Sequence, residues 1–115
     1  MPAAGRVHPE DFVLCNSHSC DKKICCVPPH TVQGPAVVGA KKTFINGFPA
    51  LRLRDKGVHD KSTCCGPNQW IALKCVSSRK VFIEGSEAFC VGDISLHDGK
   101  HQGNLMKGSE NVTVG

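Results

Sequence analysis

The residues best suited to chemistry in this sequence form three matching steps: Asp11 and Cys15, Asp55 and His59, Asp93 and His97. Each sets a soft metal ligand four residues after an aspartate. Thiolate and imidazole are the usual ligands of zinc, which takes four of them, most often tetrahedrally. Equivalent steps in three units would bring three ligands to one height around a pseudo-threefold axis and leave one position open. His30, in Pro28-Pro29-His30, is the best fourth candidate, because the prolines stiffen its segment and reduce the entropy lost on ordering it.

Other residues compete for these roles. His18, Cys20, Cys25, Cys26, Cys64, Cys65 and His101 are each able to replace a ligand, and the five cysteines among them are also able to form a second site. No Cys-x-x-Cys pair occurs, so the zinc-ribbon and thioredoxin-like patterns are excluded. Cys75 and Cys90 lie in or beside β-prone stretches and read as small buried apolar residues. His97 and His101 share the spacing of the helical zinc-protease motif, but Gly99 and Gly103 oppose a helix and Asp98 stands where that motif has its glutamate. Nucleophile-elbow, phosphate-loop and dinucleotide signatures are missing, so no catalytic or cofactor-binding residue is assigned and the chain reads as a non-enzyme.

A repeated phrase must position the ligands. Residues 41–59 and 79–97 align without a gap at an offset of 38. The alignment pairs Phe44 with Phe82, Ile45 with Ile83, Gly47 with Gly85, Ala50 with Ala88, and Asp55 with Asp93. Each copy reads as a hairpin: a β-prone triplet, a turn at Asn46-Gly47 or Glu84-Gly85, and a returning strand over 50–53 or 88–91. Half-copies lie at both ends. Residues 3–7 resemble a returning strand and 108–115 an outgoing one, so the two halves can meet as a third hairpin. Between the hairpins, 15–38, 56–69 and 94–107 read as long loops rich in Gly, Pro, Cys and His. Loops this long need a function or a tie. No segment has helical apolar periodicity.

Composition agrees with a small, tied-down β protein. The chain has 115 residues, enough for one domain over 1–115, yet only 5% are aromatic, with a single Trp. Gly (12) and Pro (7) supply many turns, and a core this poor in large side chains calls for fixing beyond apolar burial. The net charge of +4 is spread along the chain, which gives no nucleic-acid footprint. No run approaches the roughly 20 apolar residues of a membrane span. The N-terminus lacks a signal-peptide pattern, so assembly in a reducing cytoplasm is expected, where eight cysteines favour metal ligation or buried thiols over disulfides. In that setting the glycosylation sequon Asn111-Val112-Thr113 is a chance match.

The repeated phrase resembles that of the PAAR-repeat family. Residues 43–55 are close to its Thr-Val-Phe-Ile-Asn-Gly-x-Pro-Ala-Ala-Arg-x-Gly-Asp pattern, and 81–93 fit more loosely. Pro2-Ala3-Ala4 and 108–115 fit as terminal half-units, and Pro29-His30 with Gly34-Pro35 resembles a Pro-His step seen in some members. The departures are extra residues between Arg6 and Asp11, Arg54 in place of Gly, and Glu87-Ala88-Phe89 in place of Pro-Ala-Ala. The resemblance implies an all-β, conical structure of three pseudo-equivalent hairpin units with long metal-tied loops. It implies one structural Zn2+ near the apex, held by three His and one Cys, which here are His30, His59, His97 and Cys15. Such proteins cap the trimeric β-helical spike of contractile injection systems, such as type VI secretion and phage-tail-like particles. They bind through the base, one chain per trimer, and help to pierce the target envelope. The tip would leave the bacterium with its spike and contact the target membrane only in passing. With strand signals at both ends, the chain reads as a bare tip, any effector travelling as a separate chain. Two rivals are a metal-binding adaptor module outside any injection machine and a disulfide-stapled secreted domain.

Overall fold

A computed structural model describes residues 2–18, 30–59, 69–76, 81–97 and 101–114, with Ser17, His18 and His30 described by their backbone alone. These residues form ten strands and no helix. None of them therefore forms a helix long and apolar enough to cross a membrane. In chain order the strands are β1 (Phe12–His18), β2 (His30–Pro35), β3 (Phe44–Ile45), β4 (Phe48–Pro49), β5 (Lys56–Val58), β6 (Gln69–Lys74), β7 (Phe82–Ile83), β8 (Ser86–Glu87), β9 (Ile94–His97) and β10 (His101–Leu105).

Six of them make one antiparallel sheet in the order β2-β1-β10-β9-β6-β5. The sheet nearly closes on itself. Ala36, just past β2, bridges Gly57 of β5, and the Val37 and Val38 amides both donate to the Lys56 carbonyl at 2.8 and 3.1 Å. The remaining strands form two small hairpins, β3-β4 and β7-β8. Their turn residues have positive φ at both central positions: 54° and 83° at Asn46-Gly47, 50° and 87° at Glu84-Gly85. This is the type I′ geometry whose twist suits a two-residue hairpin loop, and Asn-Gly is the pair best able to adopt it.

The sequence led us to expect loops over 15–38, 56–69 and 94–107; the structure instead runs β1, β2, β5, β9 and β10 through much of them. The reason lies inside the sheet. Burial does alternate, as in exposed Lys56, buried Gly57, exposed Val58 and buried His59, but the inward residues are often not large and apolar. They include Cys15, Gly34, Gly57, Ser95, His97 and Gly103. A Cβ on Gly57 would strike the Trp70 ring, and one on Gly34 would strike the Val58 carbonyl. A sheet curled this tightly leaves no space for a Val/Ile/Leu stripe, so strand periodicity is written in small and polar residues.

The chain ends meet as expected. Ala3 bridges Thr113, the Val114 amide donates to Pro2 and the Ala4 amide donates to Val112, the last two at 2.9 Å. This repeats the β3-β4 pairing, in which Phe44 faces Pro49 and the Ala50 amide donates to Thr43 at 2.9 Å. Three interstrand bonds then form a closed circuit. Leu51 donates to Gly5, Phe89 donates to Leu51 and Gly5 donates to Phe89, at 3.0, 3.0 and 2.9 Å. A second circuit lies beside it: Val7 to Pro49, Leu53 to Glu87 and Val91 to Ala3, at 2.8 to 2.9 Å. Arg6 bridges Ala50, Arg52 bridges Ala88 and Ala4 bridges Cys90, completing the same cycle.

The core lies on both sides of these circuits. One cluster contains Ala4, Ala50 and Ala88 with Ile83, Cys90 and Val114. The other contains Leu51 and Phe89 with Trp70, Val13 and Leu105. Thus the lone Trp and two large residues at the circuits supply much of the burial that a composition poor in aromatics had seemed to lack.

Candidate metal centre

The three aspartates act as strand starters. Asp11, Asp55 and Asp93 are all buried, and each amide closes a turn onto the carbonyl three residues earlier, on His8, Arg52 and Cys90, at 3.0, 3.1 and 3.0 Å. Asp55 and Asp93 accept the backbone amides of Arg52 and Cys90, both at 2.8 Å. Asp55 also pairs with the Arg52 guanidinium, at 3.0 Å. Asp11 instead grips the Arg6 guanidinium, at 2.7 and 2.9 Å. The hydrogen bond to Asp11 raises the Arg6 pKa further, against the opposing effect of burial. These carboxylates are occupied by the fold, which explains their place in the phrase without giving them a metal.

β1, β5 and β9 begin immediately after them. Because side chains alternate along a strand, the second and fourth residues after each aspartate face inward with it. The inward pairs are Val13 and Cys15, Gly57 and His59, and Ser95 and His97, all buried. The spacing of four therefore selects one interior level in each of three outgoing strands. β1, β5 and β9 each pair antiparallel with the next strand in the chain, β2, β6 and β10, so the ends at which these residues lie meet the starts of those partners. Backbone pairing also sets His18 opposite His30 and His97 opposite His101 there.

Among the predicted ligands, the structure brings His59 and His97 together, with ring centroids 5.1 Å apart and planes tilted by 35°. Two imidazoles sharing a tetrahedral ion, with Zn–N near 2.0–2.1 Å, would have centroids about 5 Å apart. The pair therefore fits zinc in type, burial and separation. Cys15, the fourth residue after Asp11 on β1, is a buried thiol outside any disulfide. Among the described residues no three His, Cys, Asp or Glu side chains by themselves form a metal-holding group. Placement of the side chains of His30 and His18, and all of Cys20, Cys25, Cys26, Cys64 and Cys65, lies outside the described residues. His101 starts β10 across from His97, so the two belong to neighbouring strands.

Two contacts at this centre were not anticipated from sequence. Ser95 Oγ lies 2.8 Å from His97 Nε2, both residues being fully buried. Gly103 faces Ser95 across the β9–β10 ladder, and a Cβ on it would lie 2.8 Å from His97 Nε2. Counting in twos from Asp93 would have found Ser95. Cys75 and Cys90 are buried away from this centre, and the thiols of both reach toward the Ala88 carbonyl, at 3.4 and 3.9 Å. Burial first, and then the nearby Asp93 charge, pushes the Cys75 thiol up to about 12. It is an unreactive packing residue, as its place in the sequence suggested.

No family model matches the chain, and no curated protein matches it.

Proposed function

We propose that this chain is a zinc-stabilised spike-tip protein of the PAAR type, a cap for the trimeric β-helical spike of a contractile injection system. The observation that carries the reading is the closed circuit of bonds among Gly5, Leu51 and Phe89. A single chain that repeats one contact three times around an axis is the geometry that a C3-symmetric partner calls for. On this reading the half-units at the chain ends form the third side of a cone. The family resemblance of the phrase at 43–55 supports the same conclusion.

The hairpin end would be the base. Phe44 and Phe82 occupy equivalent hairpin positions and are 57% and 60% exposed, unusually open for such large apolar side chains. With Thr113 in the third position, they would give the spike an apolar, three-sided seat. The opposite end would be the apex. Cys15, His30, His59 and His97 would hold zinc there, and bound zinc would supply cross-linking without catalysis. Such a clip ties the connections at the apex and removes loop entropy from the unfolded chain. Rigidity at the point is what puncture of an envelope demands.

The test is copurification with a trimeric β-helical spike protein from the same cell. Phe44→Glu with Phe82→Glu should abolish binding while leaving metal content and melting temperature nearly unchanged. A monodisperse monomer that ignores that spike would sink the proposal. Elemental analysis should give about one zinc per chain. His59→Ala and His97→Ala should each lower the melting temperature more than His8→Ala, since the His8 side chain packs edge-on against Phe48 and accepts the Glu10 amide at the surface. Equal effects would remove the assigned ligands.

A further inference from the structure

We propose that His97 meets the metal through Nδ1 while Ser95 holds Nε2, which makes Ser95 a positioning residue of the centre. The inference rests on the zinc reading above. It starts from the 2.8 Å contact between Ser95 Oγ and His97 Nε2, in a part of the sheet where both residues have no solvent exposure. Ser95 and His97 are two residues apart on β9, so both point inward and the hydroxyl lies beside the ring. Across the ladder, Gly103 faces Ser95. The space its missing side chain leaves is bounded by His97 Nε2 and the Leu14 carbonyl. Nε2 thus meets the Ser95 hydroxyl and borders the space above Gly103. Whichever way the proton lies in the bond to Ser95, Nε2 has no lone pair left for an ion. Nδ1 is also buried, and it belongs to a ring 5.1 Å from that of His59.

The chemistry follows from imidazole itself. A neutral ring that gives one nitrogen to a metal carries its proton on the other and donates it. His97 would donate Nε2–H to Ser95 Oγ, which fixes both the tautomer and the ring orientation. Loss of such an outer partner typically weakens metal binding 10- to 100-fold.

The test uses the full chain labelled with 15N-histidine and loaded with zinc. His97 is assigned by the signals missing from His97→Gln. Long-range proton–nitrogen spectra should show a protonated Nε2 and a metal-shifted Nδ1 for His97. In competition with a chromophoric chelator, Ser95→Ala should bind zinc about 10- to 100-fold more weakly. Trp70 fluorescence reports whether that variant folds; if it does not, the spectrum of the unmutated chain alone decides. Zinc on Nε2, or a folded Ser95→Ala with unchanged affinity, overturns this inference and leaves the zinc reading standing. Failure of the unmutated chain to bind zinc overturns both.

Discussion

Arg54 shows how one residue can depart from its repeat. It occupies φ 74° at the position where the other whole copy has Gly92, at φ 96°. A residue with a Cβ pays roughly 1–2 kcal/mol for the left-handed region, while glycine loses about 0.5–1 kcal/mol through its freer unfolded chain. The Arg54 side chain is exposed, and its amide bond to the Ala72 carbonyl, 2.8 Å long, does not depend on the side chain. Arg54→Gly should therefore stabilise the protein by roughly 0.5–1 kcal/mol, read as a higher melting temperature. A lower one would mean that the arginine side chain contributes something its exposure hides. Cys75 makes a separate prediction. Its folded value of about 12 lies above the ordinary 9.0, so the folded state keeps a proton that the unfolded chain gives up. Stability should be undiminished by this group below pH 9 and fall as pH rises from 9.0 towards about 12, and Cys75→Ala should flatten that part of the curve. Alkylation of folded protein at pH 8 should leave Cys75 unmodified.

At the scale of elements, the hairpins were legible and the sheet was not. Asn46-Gly47 and Glu84-Gly85 announce their turns through local chemistry, and the 38-residue offset pairs them at once. β5 and β10 carry no such announcement. Their inward positions are Gly57, Gly103 and Leu105, and glycine in a strand ordinarily argues against it. Only the tertiary structure shows why it is there: groups on neighbouring strands, Trp70 and Pro35 at Gly57, Leu14 and His97 at Gly103, stand where a side chain would go. The inward placing of His59 and His97 was legible as an Asp-x-x-x spacing, and the same count in twos reaches Ser95, but only the structure shows its hydroxyl beside the His97 ring. The same crowding predicts the effect of Gly57→Ala. Its Cβ would meet the Trp70 ring and come within 2.5 Å of the Pro35 carbonyl, which is backbone and cannot swing aside. Overpacking of this kind costs about 1–3 kcal/mol, and the buried Trp70 gives a fluorescence signal of its displacement. Unchanged stability and an unchanged Trp70 spectrum would show that the sheet is looser than these contacts require.

At the scale of the molecule, the body measures 44 × 25 × 23 Å, long in one direction and nearly equal in the other two. That proportion suits a chain wrapped three times around one axis. If the three wraps are equivalent, the position of the chain ends is incidental, because Val114 and Pro2 stand where Ile45 and Phe48 stand in the β3-β4 hairpin. A direct test is circular permutation. An Asn-Gly link from Val114 to Pro2 would rebuild the type I′ turn of that hairpin, and the chain would be opened between Asn46 and Gly47. Asn46 hydrogen-bonds to Ser109 and Asn111 at 2.6 and 2.9 Å, so the opened hairpin keeps side-chain ties to the neighbouring unit. The permutant should fold to the same sheet and keep the spectrum of buried Trp70, with a modest drop in melting temperature. A control opened between Leu51 and Arg52 cuts the bond circuit itself, where Leu51 both donates and accepts, and should fail to fold. If both chains fold equally well, the circuit is not what holds the three sides together. If neither folds, the ends are not equivalent to the hairpin turns.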